Sequence, residues 1–515
     1  MTELLTGATI ADGTGAALRR ADVLLDDDRI TDVVEPGTAP EHLPRRDLTG
    51  LVLAPGFIDA HSHADNAPLL PEHDTTKILQ GVTTEVVGNC GFSLAPTGHD
   101  HAEAVTGFLG RLFPPTDMTW RGFAELYAAT DAAGYVTNQC PLVGHGTLRA
   151  AATGMTDAAP DDEAARTMRA ALEEGMSAGA FGLSSGLGYP PARHATTDEL
   201  IDLAGVLGGS GLYVTHMRNE GDQLFNAIDE ALRIGRAAGR THISHLKAAL
   251  PHNWGKLHPA LHRLRRTRRA GHQVCNDVYP YTASSTTLTA MLPADYLAGD
   301  DEHTLNRLKS RSARWELATA IEQRTSFDRI AVASTPSHRF EGRTLADIAA
   351  ELGVEPVQAM IEVLVSERLK VSMTHFSMHE DDLERALRDE HTMIGSDGLP
   401  PGLGGKPHPR MTGTFPRVLG RYARDRGVLS LPEAIRRMTS LPAEWFRIPD
   451  RGVIAPGRTA DLVAFDPDTI TDIGDYQDPM RPPRGLPWVC QAGRTVVDGG
   501  RYLGIRSGAR LSPKV

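Results

Sequence analysis

The sequence predicts an α/β chain: a (β/α)8 TIM-like barrel with a small β-sandwich domain formed from both termini. Three observations carry this reading. Short apolar runs that end in polar residues alternate with amphipathic helical segments, and eight such runs can be counted. Residues 1–50 and 445–515 instead read as short strands and turns, neither end large enough for a stable sheet alone. The chain has 515 residues, more than the roughly 250 a barrel takes, so there is room for additions.

At the N-terminus, Ala21–Leu25 and Arg29–Val34 are strands around an Asp26-Asp27-Asp28 turn. At the C-terminus, Ala460–Phe465 and Arg494–Val497 have the same character, and the two ends are expected to pair into one unit. Between them, residues 51–444 carry the eight runs: Gly56–His61, Thr84–Cys90, Cys140–His145, Ala180–Ser184, Leu212–His216, Thr241–His245, Gln273–Asp277 and Thr392–Asp397. Asp161–Met176 has apolar residues at helical spacing, and Thr196-Thr197-Asp198-Glu199 reads as a capping box before Leu200. The stretch from Asp277 to Asp397 is far longer than one βα unit of about 30 residues. An insertion near residues 285–370 explains the excess, with helices at Ala313–Arg324 and Leu345–Leu352. Emerging after strand seven, it would lie over the catalytic face as a lid. Leu399–Pro407, dense in proline and glycine, reads as a loop.

Composition narrows the function. Hydrophobic residues at 41% and charged residues at 23% exclude wholesale disorder. A net charge of −12 argues against a nucleic-acid binder or an anionic-membrane binder. Four cysteines (Cys90, Cys140, Cys275, Cys490) are no disulfide framework in this length. The first residues lack a basic segment followed by an apolar one, and no apolar run of about 18 residues occurs. A cytoplasmic location is the expectation.

The chemistry gathers at strand ends. His61 and His63 are two apart, so an extended strand end would turn both to one side. Cys90, His216, His245 and Asp397 end other runs. Taken singly, each is an ordinary core cysteine, strand-end histidine or Asp-Gly turn. Taken together, strands one, two, five, six and eight each end in a metal-capable residue, and a barrel brings such ends to one face. His145 also ends a run and is read as structural.

The segments Pro55–His63, Val87-Gly88-Asn89-Cys90-Gly91, Ser184–Pro191, Thr215-His216-Met217-Arg218, Ile243–Lys247, Gly395–Gly398 and His408-Pro409-Arg410 resemble the amidohydrolase superfamily, and within it the D-aminoacylases (N-acyl-D-amino-acid deacylases). The resemblance implies zinc-dependent hydrolysis of N-acyl-D-amino acids to a carboxylic acid and a free D-amino acid. It implies a tight zinc site at Cys90, His216 and His245, and a possible second site at His61, His63 and Asp397. Thiolate plus two imidazoles is a donor set that suits zinc. Asp397 would be the catalytic proton carrier. Arg410 and Tyr281 would bind the substrate carboxylate, Lys247 would bear on side-chain preference, and Tyr189 would meet the acyl group. The implied partner is a small N-acyl amino acid, with no nucleic acid and no membrane. Rival readings are a cyclic amidase of the dihydroorotase or hydantoinase kind, a barrel without catalysis serving assembly, and a nucleobase deaminase. Cys90 in place of a bridging lysine disfavours the first.

Overall fold

Parallel pairing links the apolar runs in chain order. Ring strand one (Phe57–Asp59) pairs with two (Val82–Val87), and two with three (Asn138–Pro141, resumed at Val143–Gly144). Strand three pairs with four (Leu183–Gly186), and the series runs on through five (Gly211–His216), six (Gly239–Ile243), seven (Gln273–Val278) and eight (Thr392–Ile394). The order then returns to its start. Ala60 N–H donates to Ile394 O at 3.2 Å, Asp397 N–H donates to His61 O at 2.8 Å, and Ser62 bridges Gly398 in parallel. This computed structural model describes residues 2–40, 42–98, 100–297, 301–322, 325–402 and 404–514. Its pairing is consistent with a TIM-like barrel plus a sheet domain.

The strands are short and mostly buried, as parallel strands covered on both faces must be. Their covering helices supply apolar stripes. Ala227, Ile228, Ala231 and Leu232 of helix Leu224–Ala238 share one cluster with Ile243 and Val274. Helix Asp162–Ser177 begins at the expected Asp161, whose carboxylate accepts from Glu163 N–H and Ala164 N–H. The capping box expected at Thr196 is only half made. Thr196 Oγ1 accepts from Glu199 N–H, but the Glu199 side chain turns away to the buried His145 and Arg149. The complete box lies at Thr344 and Asp347, before helix Leu345–Leu352.

The termini interleave. Leu462–Phe465 lies between Val52–Pro55 and Trp488–Gln491, antiparallel to both, in a seven-stranded sheet. A four-stranded sheet from Glu3–Thr6, Asp22–Asp26, Arg29–Val34 and Arg45–Asp47 packs with it around Leu5, Val23, Ile30, Leu462 and Trp488. Val52–Pro55, just past the expected boundary at residue 50, belongs to the seven-stranded sheet.

The segment between strands seven and eight holds a three-stranded antiparallel sheet (Ser284–Thr287, Ile330–Ser334, Ser372–His375) and several helices. They close on a separate apolar cluster including Leu317, Val332, Ile348, Met360 and Met373. The expected helix from Ala313 is present to Glu322; Gln323 and Arg324, which the expectation included, lie outside the described residues. So does Leu403 of the expected Leu399–Pro407 loop. Among the described residues, no helix is long and apolar enough to cross a membrane.

Candidate metal centre

All of the expected ligands but His216, the last residue of strand five, lie two to four residues beyond their strands rather than within them. Strand one ends at Asp59 and strand eight at Ile394, so His61, His63 and Asp397 sit on the continuations that stitch the ring shut. Cys90, His245 and Asp397 have positive φ values of 53°, 35° and 49°. Each such residue costs of order 1–3 kcal/mol and persists only where its surroundings hold it. Three of them, at the exits of strands two, six and eight, carry side chains turned inward over the ring.

All six side chains converge. Cys90 Sγ lies 3.3 Å from His61 Nε2, 3.5 Å from His245 Nε2 and 4.0 Å from His216 Nδ1. His216 Nδ1 and His245 Nε2 are 2.9 Å apart. Asp397 Oδ1 lies 3.5 Å from His61 Nε2 and 3.3 Å from His63 Nε2. The donors of His61, Cys90 and His245 lie within 4.8 Å of one another, as do those of His61, His63 and Asp397. Such spacings suit a tetrahedral ion with bonds of about 2.0–2.3 Å. The donor chemistry fits as well. Burial alone would raise the Cys90 thiol, but the His61 charge and hydrogen bonds from His216 and His245 hold it well below its ordinary value. Thiolate is the ligating form.

A second layer fixes the imidazoles. Glu220 Oε1 lies 2.8 Å from His245 Nδ1, which directs Nε2 at the cluster. Asp277 Oδ1 accepts from His245 N–H at 2.9 Å, while Oδ2 lies 2.7 Å from His242 Nε2 and 3.5 Å from His61 Nδ1. Neither carboxylate stood out in the sequence reading. Asp277 was in view as the end of strand seven, whereas Glu220 follows His216 by four residues and carries no pattern of its own.

Arg410 is buried, with Nη1 2.7 Å from Asp397 Oδ2 and its guanidinium 4.7 Å above the Tyr279 ring. Burial would raise the Asp397 carboxyl. Arg410, then His61 and the His63 hydrogen bond, offset this and hold it well below the usual carboxylate range. Tyr281 is placed otherwise. Its hydroxyl lies 3.4 Å from both Pro409 O and Asp472 Oδ2, and Arg417 stacks on its ring at 4.5 Å. Tyr279 takes the position beside Arg410, and its buried hydroxyl has no hydrogen-bond partner among the described residues. Lys247 donates to Glu220 Oε1 at 2.6 Å and lies 2.8 Å from His245 Nδ1. The Tyr189 ring is 4.8 Å from that of His216, and its hydroxyl accepts from Thr286 of the inserted segment. His145 stands apart, paired with Glu199.

Residues 46–500 match the model of the amidohydrolase family. The chain belongs to that family. It is 38% identical over 513 residues to the D-aminoacylase of Alcaligenes xylosoxydans xylosoxydans, covering 99% of this chain and 97% of the relative. It is 37% identical over 516 residues to the N-acyl-D-aspartate deacylase of the same organism, covering 99% and 95%. Among solved structures, it is similar to the N-acyl-D-glutamate deacylase of Bordetella bronchiseptica, complexed with zinc and a phosphonate mimic of the tetrahedral intermediate. That similarity has a TM-score of 0.82 at 35% identity and covers 99% of both chains.

Proposed function

We propose that this chain hydrolyses the amide bond of N-acyl-D-amino acids, releasing a carboxylic acid and a free D-amino acid. The observation that carries the reading is the convergence of the buried Cys90, His61, His63, His245 and Asp397 with the half-buried His216, and with Arg410 directly behind Asp397. Full-length likeness to named deacylases supports it. The architecture is read as a (β/α)8 barrel with a small β-sandwich domain drawn from both ends of the chain, the expected division at residue 50 moving to about residue 55 because Val52–Pro55 lies in the terminal sheet.

Cys90, His216 and His245 would hold one zinc tightly, and His61, His63 and Asp397 offer a weaker second position. Zinc, when bound, supplies Lewis acidity to the acyl carbonyl and lowers the pKa of water toward about 7. Asp397, kept ionised by Arg410, takes the proton of the attacking water and delivers it to the amide nitrogen as the amine leaves. Arg410 and the Tyr279 hydroxyl, which has no partner among the described residues, form the carboxylate clamp, with the guanidinium offering a two-point fork. Tyr281, by its contacts, supports Arg417 and Pro409 rather than the substrate. Lys247 lines the same side, and Tyr189 with Phe92 gives an aromatic wall for the acyl group. Thr286, bonded to Tyr189, supports reading the inserted segment as a lid.

The test is a paired screen of N-acetyl and N-formyl D- and L-amino acids, with zinc quantified in the same preparation. Turnover confined to D substrates, with zinc present, is expected. Turnover of hydantoin or dihydroorotate, with none of the linear amides, would establish the cyclic amidase instead.

A further inference from the structure

Beneath the ligand cluster lies a fully paired cation that the chemistry above does not use. Lys77 is 2% exposed. Its ammonium donates to Asp59 Oδ2 at 2.6 Å, Ser396 Oγ at 2.7 Å and Ser62 Oγ at 3.1 Å, which accounts for all three of its protons. Glu85 Oε2 is a fourth neighbour at 3.4 Å. The acceptors are themselves tied to the ligand-bearing chain. Asp59 Oδ1 accepts from His61 N–H at 3.1 Å and from Ser396 N–H at 2.7 Å. Ser62, between His61 and His63, donates to Glu85 on strand two at 2.6 Å. Ser396, next to Asp397, donates to Asp59 at 2.6 Å and accepts from Gly398 N–H at 3.0 Å. A Cβ at position 398 would sit 2.9 Å from Lys77 Nζ, so the glycine there admits the ammonium.

We propose that Lys77 is a positioning residue. It clasps the exits of strands one and eight, and thereby sets the separation of the His61–His63 pair from Asp397. Both exits lie beyond regular strand pairing. Across the seam run three backbone bonds, from Ala60 N–H to Ile394 O, Asp397 N–H to His61 O and His63 N–H to Gly398 O, and two bonds from Ser396 to Asp59. Lys77 joins Asp59, Ser62 and Ser396 at one point and so fixes the two exits relative to each other. A buried ammonium costs several kcal/mol unless fully paired; replacing a whole buried ion pair by apolar residues of similar volume is often neutral for stability, whereas removing Lys77 alone leaves Asp59 and Glu85 buried without their cation. What the ion adds is direction: three hydrogen bonds at fixed angles to three segments. The inference rests on the deacylase reading only for its kinetic arm.

The experiment uses Lys77→Met and Ser396→Ala in the full-length zinc-loaded protein. For Lys77→Met, kcat on the best N-acyl-D-amino acid is expected to fall by about 100-fold, the loss an ångström-scale misplacement produces, with KM within about threefold of wild type. Zinc content should be unchanged, because Cys90, His216 and His245 are not in the clasp. Hydrogen exchange, which needs no substrate, should speed by about tenfold or more in residues 60–63 and 395–398 while residues 211–216 stay protected. A smaller loss of the same kind, about tenfold in kcat, is expected for Ser396→Ala, which removes one of the three acceptors. A folded Lys77→Met protein with kcat within about twofold of wild type would overturn the proposal, as would exchange accelerated evenly over the whole ring. If Lys77→Met shows no native melting transition, Ser396→Ala decides: wild-type kcat with residues 395–398 still protected rejects the clasp. If wild type deacylates nothing, the exchange pattern alone decides it.

Discussion

Arg410 Nη1 sits 2.7 Å from Asp397 Oδ2, both buried, so the cation suited to grip a substrate carboxylate is also the one that keeps the proposed proton carrier ionised. Arg410→Lys retains a charge but loses the planar fork. It should raise KM and lower kcat/KM for N-acyl-D-amino acids by about 10–100-fold, the worth of one or two charged hydrogen bonds. The control is the matching amide without an α-carboxylate. Its kcat/KM should be poor in wild type and little changed in the variant; equal turnover of both substrates by wild type would remove the clamp.

Asp397→Ala should retain the zinc proposed for Cys90, His216 and His245 while losing turnover by about 10²–10⁴-fold, the range that proton transfer contributes. Elemental analysis and steady-state rates on one sample check this. Near-normal rates in the zinc-loaded variant would assign the proton to another group.

Cys90→Ala removes the thiolate at the centre of the cluster. Zinc affinity, measured by competition with a chromophoric chelator, should drop by more than the roughly 10–100-fold that loss of an outer-sphere partner costs. Glu220→Gln, which weakens the hold on His245 Nδ1, should fall within that smaller range. Equal affinities in the two variants would mean that Cys90 does not bind the ion.

Glu199 provides a pH test away from the metal. Burial would raise its carboxyl, but His145 and Arg149 hold it below the ordinary 4.5. A carboxyl with a lowered folded-state pKa adds stability that is complete above its unfolded value and fades as pH falls through the folded one. Glu199→Gln should therefore destabilise by about 3 kcal/mol at neutral pH, as expected when one partner of a buried pair is removed. The gap in Tm between variant and wild type should be widest near pH 7 and shrink below about pH 4.5. A gap that widened on acidification would contradict this charge assignment.

The ring was legible because parallel strands covered on both faces must be apolar along their length, and their polar ends mark where each emerges. The same ends disclosed His61, His63, Cys90, His216, His245 and Asp397, which the structure brings together. Strand limits were less legible. His245 and Asp397 read as final strand residues but lie two or three positions past the last ladder pair, at φ values that pattern does not encode. Lys77, Glu220 and Tyr279 were not legible at all. Each acquires meaning only from partners brought by other strands; Lys77 and Ser396 are 319 residues apart. Tyr279 and Tyr281 share one short segment, and only the packing of Arg410 against one and Arg417 against the other separates their parts.

The interleaving of the termini has a consequence for synthesis. Val52–Pro55 leaves the ribosome with its eventual neighbour, Leu462–Phe465, still unmade. At about 5–20 residues per second, roughly 400 intervening residues take about 20–80 s to appear. Throughout that interval the nascent protein presents an apolar strand edge with bare amide and carbonyl groups. An open edge of that kind is a template for wrong pairing, and it closes only when Leu462–Phe465 arrives to complete the sheet.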